Sequence, residues 1–189
     1  MAKNLLLTRK QIDVAIAGLT KAVEKYNGLQ AACRQVDIAN DVEFQRKFNG
    51  YYRIRRGRKW RTAFYNLFEK AKGKQSAVGF RDVLVELHTV TERMEASFVS
   101  KLVETLSPGL PIIDSVVLKH LGLRLPWKGV EGRLAKIVSV YEQIAEEFDD
   151  YLKTENGKYL VDRFRLVYDA PNIKPVRMLD FVVWATRVP

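Results

Sequence analysis

The fold of this chain is decided by the stretch Ala96-Ser-Phe-Val-Ser-Lys-Leu-Val-Glu-Thr-Leu-Ser-Pro-Gly-Leu-Pro-Ile-Ile-Asp-Ser-Val-Val-Leu-Lys-His-Leu-Gly-Leu123. Its first half places apolar residues such as Phe98 and Leu102 at helical spacing. A sharp turn of Pro and Gly residues follows, and the segment Pro111-Ile-Ile-Asp114 leads into a second helix that Gly122 closes. The stretch predicts a helical hairpin, and we expect the other helices to pack around it.

Apolar residues recur at spacings of three and four along most of the remaining chain. On the N-terminal side, this stripe predicts one helix from about Thr8 to Asn27, with Thr8 as its N-cap and Gly28 as its end. Similar patterns predict helices from about Asn40 to Phe48, Lys59 to Lys72, Phe80 to His88, Tyr159 to Tyr168 and Val176 to Thr186. Another helix is predicted to begin at Leu134 and to continue to Asn156-Gly157.

Two Asn-Gly pairs, Asn49-Gly50 and Asn156-Gly157, are expected to end the helices that precede them. No segment alternates between apolar and polar residues in the way that a strand does. The sequence therefore predicts an all-α protein of roughly eight helices, folded as a single domain over residues 1–189.

Composition limits the classes of function. The single cysteine, Cys33, excludes an internal disulfide and multi-cysteine zinc or iron–sulfur sites. With only two histidines and no nucleotide-binding glycine motif, we expect neither a metal nor another cofactor. No run reaches the roughly 18 apolar residues of a membrane-spanning helix, and the apolar piece at the start is too short for a signal peptide. We therefore expect a cytoplasmic protein that does not act at a membrane.

The formal net charge of +10 favours a polyanionic partner, nucleic acid before anionic lipid. Every charged side chain between Arg46 and Arg61 is basic, and aromatic residues are interleaved with them. Such a stretch can supply phosphate contacts and flat surfaces for stacking on bases. The predicted nucleic-acid contacts are Tyr51, Tyr52, Arg53, Arg55, Arg56, Arg58, Lys59 and Arg61. The alternative is a solvated connector between two helices, and periodicity already assigns Trp60 to the core.

Asp114 is the best placed single carboxylate in the chain. It follows an apolar segment and directly precedes a helix, so it can accept amide hydrogen bonds as an N-cap. The functional alternative is a carboxylate that orients water or stabilises the positive charge that develops on a sugar when its base leaves.

The segment Pro111-Ile-Ile-Asp114-Ser-Val-Val-Leu-Lys-His-Leu121 with the helix before it resembles the core of the helix-hairpin-helix DNA glycosylases, over about residues 95–123. The resemblance implies that Asp114 is the catalytic carboxylate. The family's glycine-rich hairpin is not matched, since Val90-Thr-Glu-Arg-Met-Glu95 stands in its place. The position of the lysine in the bifunctional enzymes falls near Glu95, and Lys101 lies one helical turn too late, so lyase chemistry is not implied. From their polar surroundings, Glu92 and Glu95 are expected to lie in a solvated connector.

Three functions remain open. The first is a nucleic-acid-binding protein, with DNA as the preferred partner, that contacts the phosphate backbone through its basic stretch. The second is a glycosylase-like base-excision enzyme that uses Asp114. The third is a helical interaction protein without a nucleic-acid role, whose contacts would be the C-terminal end from Trp184 to Pro189 and an acidic helix face. That face consists of Glu142, Glu146, Glu147, Asp149 and Asp150.

Overall fold

The structure is a computed structural model that describes residues 5–74, 78–169 and 171–186. The described residues form ten α-helices and no strand, which confirms the all-α prediction and adds two helices to the number expected. The helices are α1 (Arg9–Ala17), α2 (Thr20–Gln35), α3 (Val42–Tyr52), α4 (Arg58–Lys72), α5 (Phe80–Thr91), α6 (Ala96–Leu106), α7 (Ser115–His120), α8 (Arg133–Lys153), α9 (Glu155–Val167) and α10 (Pro175–Ala185). None of them is long and apolar enough to cross a membrane.

The contacts between residues divide the chain into two units. The terminal unit consists of Met1–Lys21 and Pro108–Pro189, and the central unit consists of Ala22–Ser107. Each unit has its own set of packed helices. That residues 1–189 fold as one domain stays a prediction.

The central unit has an aromatic core. In it, α4 packs against α5 and α6, and α5 packs against α6. The ring of Phe48 lies 5.3 Å from that of Phe68 and 6.2 Å from those of Phe64 and Tyr65, so residues of α3 and α4 interlock. Each of these buried side chains stabilises the fold by roughly 1.5–3 kcal/mol through removal of apolar area from water. Trp60 is also buried, as its periodicity predicted.

The terminal unit packs α1 against α9 and places α10 beside α7, α8 and α9. The phenol of Tyr159 on α9 donates to Asp13 of α1 at 2.9 Å, and the Nε atom of Arg163 lies 3.0 Å from the same carboxylate. Apolar packing joins α9 to α10, where the rings of Phe164 and Phe181 stack with their centroids 6.1 Å apart.

Several helix boundaries differ from those predicted. The single helix predicted from Thr8 to Asn27 is interrupted at Gly18, and α2 then continues through Gly28 to Gln35. The continuation has a physical reason, because the buried residues Val23, Tyr26, Leu29 and Cys33 extend the apolar stripe past Gly28. Burial of that face outweighs the roughly 1 kcal/mol by which a glycine disfavours a helix interior. The N-cap at Thr8 is confirmed, with a reciprocal hydrogen-bonded pair between Thr8 and Gln11.

Neither Asn-Gly pair ends a helix. Helix α3 runs through Asn49-Gly50 to Tyr52, and Asn156-Gly157 lies in the first turn of α9. The helix before this second pair, α8, ends at Lys153, where Thr154 closes α8 and also N-caps α9 by accepting from the Gly157 amide at 3.0 Å. A Cβ atom at Gly157 would lie 2.1 Å from the Tyr151 carbonyl oxygen, so this corner requires a glycine. The polar turn predicted from Lys74 onward lies mostly outside the described residues.

Candidate nucleic-acid interface

The predicted basic stretch forms a tight corner between α3 and α4. Arg53 closes α3 in the left-handed conformation, with a φ angle of 53°, and the amide of Ile54 donates to the Asn49 carbonyl at 2.9 Å. The side chain of Ile54 is buried and anchors the corner to the central unit. Gly57 then precedes the first turn of α4. The backbone of the corner is therefore held at both ends, and the basic side chains on either side of Ile54 lie at the surface.

Six basic side chains at and beside this corner are exposed to solvent. They are Arg46, Arg53, Arg55, Arg58, Lys59 and Arg61, and we call them the basic corner. Within the described ranges, none of the six has a carboxylate within 4.0 Å of its nitrogen atoms, whereas the neighbouring Lys47 lies 2.7 Å from Glu43. Five of the six were predicted as phosphate contacts from the sequence. All six belong to the central unit, with Arg46 on α3, Arg53 and Arg55 between the helices, and the remaining three on α4.

Arg56 is placed differently from its neighbours. Its Nε and Nη2 atoms donate to the two carboxylate oxygens of Glu95, each at 3.0 Å. Its guanidinium carbon also lies 5.1 Å from the ring centroid of Phe98. The side chain of Glu95 is 14% exposed, so the prediction of a solvated connector at this residue is wrong. Arg56 was predicted as a phosphate contact, but the structure gives it a protein carboxylate that already balances its charge.

The two tyrosines of the predicted interface are half-buried. The ring of Tyr52 lies 4.7 Å from the ring of Phe48 and 4.7 Å from that of Tyr51. The Tyr52 hydroxyl donates to Glu104 at 3.4 Å, and the Tyr51 hydroxyl donates to the Ala22 carbonyl at 3.4 Å. Both side chains therefore contribute to the packing of the central unit. That they also stack on bases stays a prediction.

The N-terminus of α4 adds positive potential to the basic corner. Gly57 occupies the N-cap position and supplies no side-chain hydrogen bond, and the first turn contains no acidic residue. The first amide groups of a helix lack intrahelical acceptors, and the helix dipole places partial positive charge there. Arg58 and Lys59 lie in this first turn, where a cation is disfavoured by about 0.3–1 kcal/mol. A bound phosphate would relieve this repulsion, because it accepts from free amides and pairs with the cations.

Sequence reasoning missed a buried polar cluster on α6. Glu104 is fully buried and accepts a hydrogen bond of 2.7 Å from the Tyr26 hydroxyl. One turn earlier, the buried Lys101 donates to the Ser97 hydroxyl at 2.7 Å and lies 6.0 Å from the ring centroid of Tyr52. The signal in the sequence is a lysine and a glutamate three residues apart on a helix with no other charged residue. The cluster connects α2, α3 and α6 of the central unit by polar contacts.

Asp114 belongs to the terminal unit, where it is the N-cap of α7. Its Oδ1 atom accepts from the Val116 amide at 2.7 Å, and its backbone is extended. The capping role inferred from the sequence is therefore confirmed. The side chain is partly exposed. Its catalytic role, implied by resemblance to the glycosylases, stays a prediction.

Comparison of the chain with protein-family models, with curated proteins and with solved structures found no match. Among the described residues, no group of three or more histidine, cysteine, aspartate or glutamate side chains could hold a metal ion.

Proposed function

We propose that the protein binds nucleic acid, DNA in the first instance, by contacting phosphates with the basic corner. The observation that carries this proposal is the set of six exposed cations, which find no carboxylate partner in the described part of the chain. Like charges on one short segment repel one another, and a bound anion reduces that repulsion. A phosphate backbone supplies anions at regular intervals, and each contact releases condensed counterions.

The chemistry of the cations favours phosphate as the anion. All but one of the six residues are arginine, whose planar guanidinium donates two parallel hydrogen bonds to a phosphate group. The large apolar residues within the corner, Ile54 and Trp60, are buried. The corner therefore exposes positive charge but no large apolar side chain that could insert among lipid tails. Because binding at a membrane surface needs such apolar area, nucleic acid is favoured over an anionic membrane.

The test is the salt dependence of binding to a fluorescently labelled duplex. We expect the logarithm of the affinity to fall linearly with the logarithm of the salt concentration, with a slope of about −0.9 for each phosphate contacted. The triple variant Arg55→Gln, Arg58→Gln and Arg61→Gln is expected to make that slope shallower by about 2 to 3. Arg56 is left intact in this variant, because it pairs with Glu95 and is not one of the six exposed cations.

A matched control removes the same charge elsewhere in the central unit. The variant Lys25→Gln, Arg34→Gln and Arg81→Gln neutralises three exposed cations outside the basic corner. We expect it to retain the slope of the unmodified protein. Equal effects from the two triple variants would show that net charge, and not the basic corner, governs binding. Absence of binding at low salt would overturn the proposal itself.

A second candidate function is base excision by Asp114. The observation that favours it is that capping uses only Oδ1, while the side chain remains partly exposed and Oδ2 accepts no hydrogen bond from the described residues. A carboxylate with one free oxygen can orient water or stabilise a cationic sugar. Its test is a screen of duplexes that contain damaged or mismatched bases, with Asp114→Asn beside the unmodified protein.

A further inference from the structure

Trp127 is the most exposed tryptophan among the described residues. It is 81% exposed, compared with 8% for Trp60 and 39% for Trp184. Tryptophan is on average a highly buried residue, because its ring carries a large apolar area. An indole held in water forgoes that stabilisation, and both its faces are open to a ligand.

Hydrogen bonds hold the backbone on both sides of Trp127. The Val130 amide donates to the Trp127 carbonyl at 3.4 Å, and Gly129 has a φ angle of +92°, which suits the third position of a type II turn. On the other side, the Nε atom of Arg133 donates to the Pro126 carbonyl at 3.3 Å. The indole therefore extends from a loop that is hydrogen-bonded both before and after it.

The neighbours of Trp127 indicate the kind of partner. Arg124 and Lys128 are both exposed, and neither has a carboxylate within 4.0 Å in the part of the chain that the structure describes. The remaining large apolar residues of the loop, Leu125 and Val130, are half-buried. A single exposed ring with a cation on each side in the sequence matches a nucleobase between two phosphates, whereas a membrane anchor needs a wider apolar surface.

We propose that Trp127 stacks on an unpaired nucleobase while Arg124 and Lys128 contact the phosphates beside that base. The preferred ligand is then a nucleic acid with a single-stranded region, because the bases of an intact duplex present no free face. This inference rests on the proposed nucleic-acid function and names its substrate class. Stacking of a base on an aromatic side chain does not depend on sequence, so we expect little preference among sequences.

The test compares Trp127→Ala and Trp127→Phe with the unmodified protein, using a single strand and a duplex of the same sequence at one salt concentration. We expect Trp127→Ala to weaken binding of the single strand by about tenfold, and Trp127→Phe to retain most of the affinity because phenylalanine still stacks. Binding of the duplex should change less than about twofold for either variant. The indole fluorescence of the unmodified protein should be quenched by the single strand, and Trp127→Phe should lose most of that quenching.

The matched control is Leu166→Ala, which removes another large exposed apolar side chain from the terminal unit. It should bind both ligands as the unmodified protein does. If Trp127→Ala binds the single strand with full affinity while the salt slope of the unmodified protein persists, stacking is wrong and the function of the basic corner stands. If the unmodified protein binds neither ligand at low salt, the proposed function itself fails. A fluorescence change with vesicles of anionic lipid and none with the single strand would assign the loop to a membrane and overturn the stacking proposal.

Discussion

Arg56 and Glu95 form a two-pronged ion pair, in which both hydrogen bonds measure 3.0 Å. The pair joins the loop before α4 to the residue that precedes α6, across 39 positions of the sequence. Glu95 is largely buried, and the guanidinium of Arg56 covers the ring of Phe98. The contact therefore ties the loop between α3 and α4, which carries Arg55, to the start of α6.

Loss of this pair should destabilise the protein. We expect Arg56→Gln to lower the free energy of unfolding by about 1–2 kcal/mol, since the side chain of Arg56 is 34% exposed and solvent screens part of the attraction. Arg56→Lys should be destabilised by less than Arg56→Gln, because lysine keeps the positive charge. It should still be less stable than the unmodified protein, because an ammonium group cannot form both hydrogen bonds. Urea denaturation of the variants measures the difference. Arg55→Gln is the control, and a change of more than about 0.5 kcal/mol in that variant would contradict the distinction between the two arginines.

The same pair predicts a difference in nucleic-acid binding. Arg58→Gln should reduce the salt slope by about 1, whereas Arg56→Gln should leave the slope unchanged, because the charge of Arg56 is already balanced by Glu95. Titrations with a duplex at several salt concentrations measure both slopes. Equal reductions in the two variants would show that Arg56 exchanges Glu95 for a phosphate when nucleic acid binds.

Two glycines should respond to alanine in opposite directions. Gly157→Ala would place a Cβ atom 2.1 Å from the Tyr151 carbonyl, so the corner between α8 and α9 must move, and we expect a loss of more than about 3 kcal/mol. Gly28 lies inside α2 with no atom near the new Cβ, so Gly28→Ala should stabilise the protein by about 0.5–1 kcal/mol. Thermal unfolding measures both effects. A destabilising Gly28→Ala would show that α2 does not persist through this position.

Substitutions of Asp114 can distinguish its capping role from a catalytic role. Asp114→Asn should preserve stability because asparagine is an equally good N-cap, and Asp114→Ala should lose about 1 kcal/mol. If Asp114 is the catalytic carboxylate, Asp114→Asn abolishes base excision while nucleic-acid binding persists. Excision that survives in Asp114→Asn would leave Asp114 with a capping role alone. Measurement of folding and binding for the same preparations distinguishes the two roles.

Cys33 should make stability depend on pH in the alkaline range. Burial raises the pKa of the Cys33 thiol from 9.0 to about 11. The folded state therefore holds this proton more tightly than the unfolded state, and the stabilisation is complete below pH 9 and lost as the pH rises towards 11. We expect the loss to be about 2 kcal/mol. Cys33→Ala should show a smaller decline in unfolding free energy over this window, and an identical decline in both proteins would contradict the assignment.

Local sequence patterns correctly predicted the features that depend on residues close together in the chain, namely helix N-caps and the buried faces of helices. The N-caps at Thr8 and Asp114 followed from a polar residue before an apolar helix, and both are observed. The core face of α4, with Trp60 and Phe64, followed from helical spacing alone. The expected breaks at Gly28 and Gly50 failed because tertiary burial of α2 and α3 outweighs the weak local preference of glycine.

Helical periodicity and composition are enough to predict that the chain is helical, that its core is aromatic in part, and that a dense group of cations lies between two of its helices. Which of those cations remain exposed depends on tertiary contacts. Arg55 and Arg56 are adjacent and chemically identical, yet Arg55 lies in solvent and Arg56 pairs with Glu95. An ion pair depends on distance in space, and helical periodicity carries no information about which residue from a distant part of the chain lies within 3.0 Å.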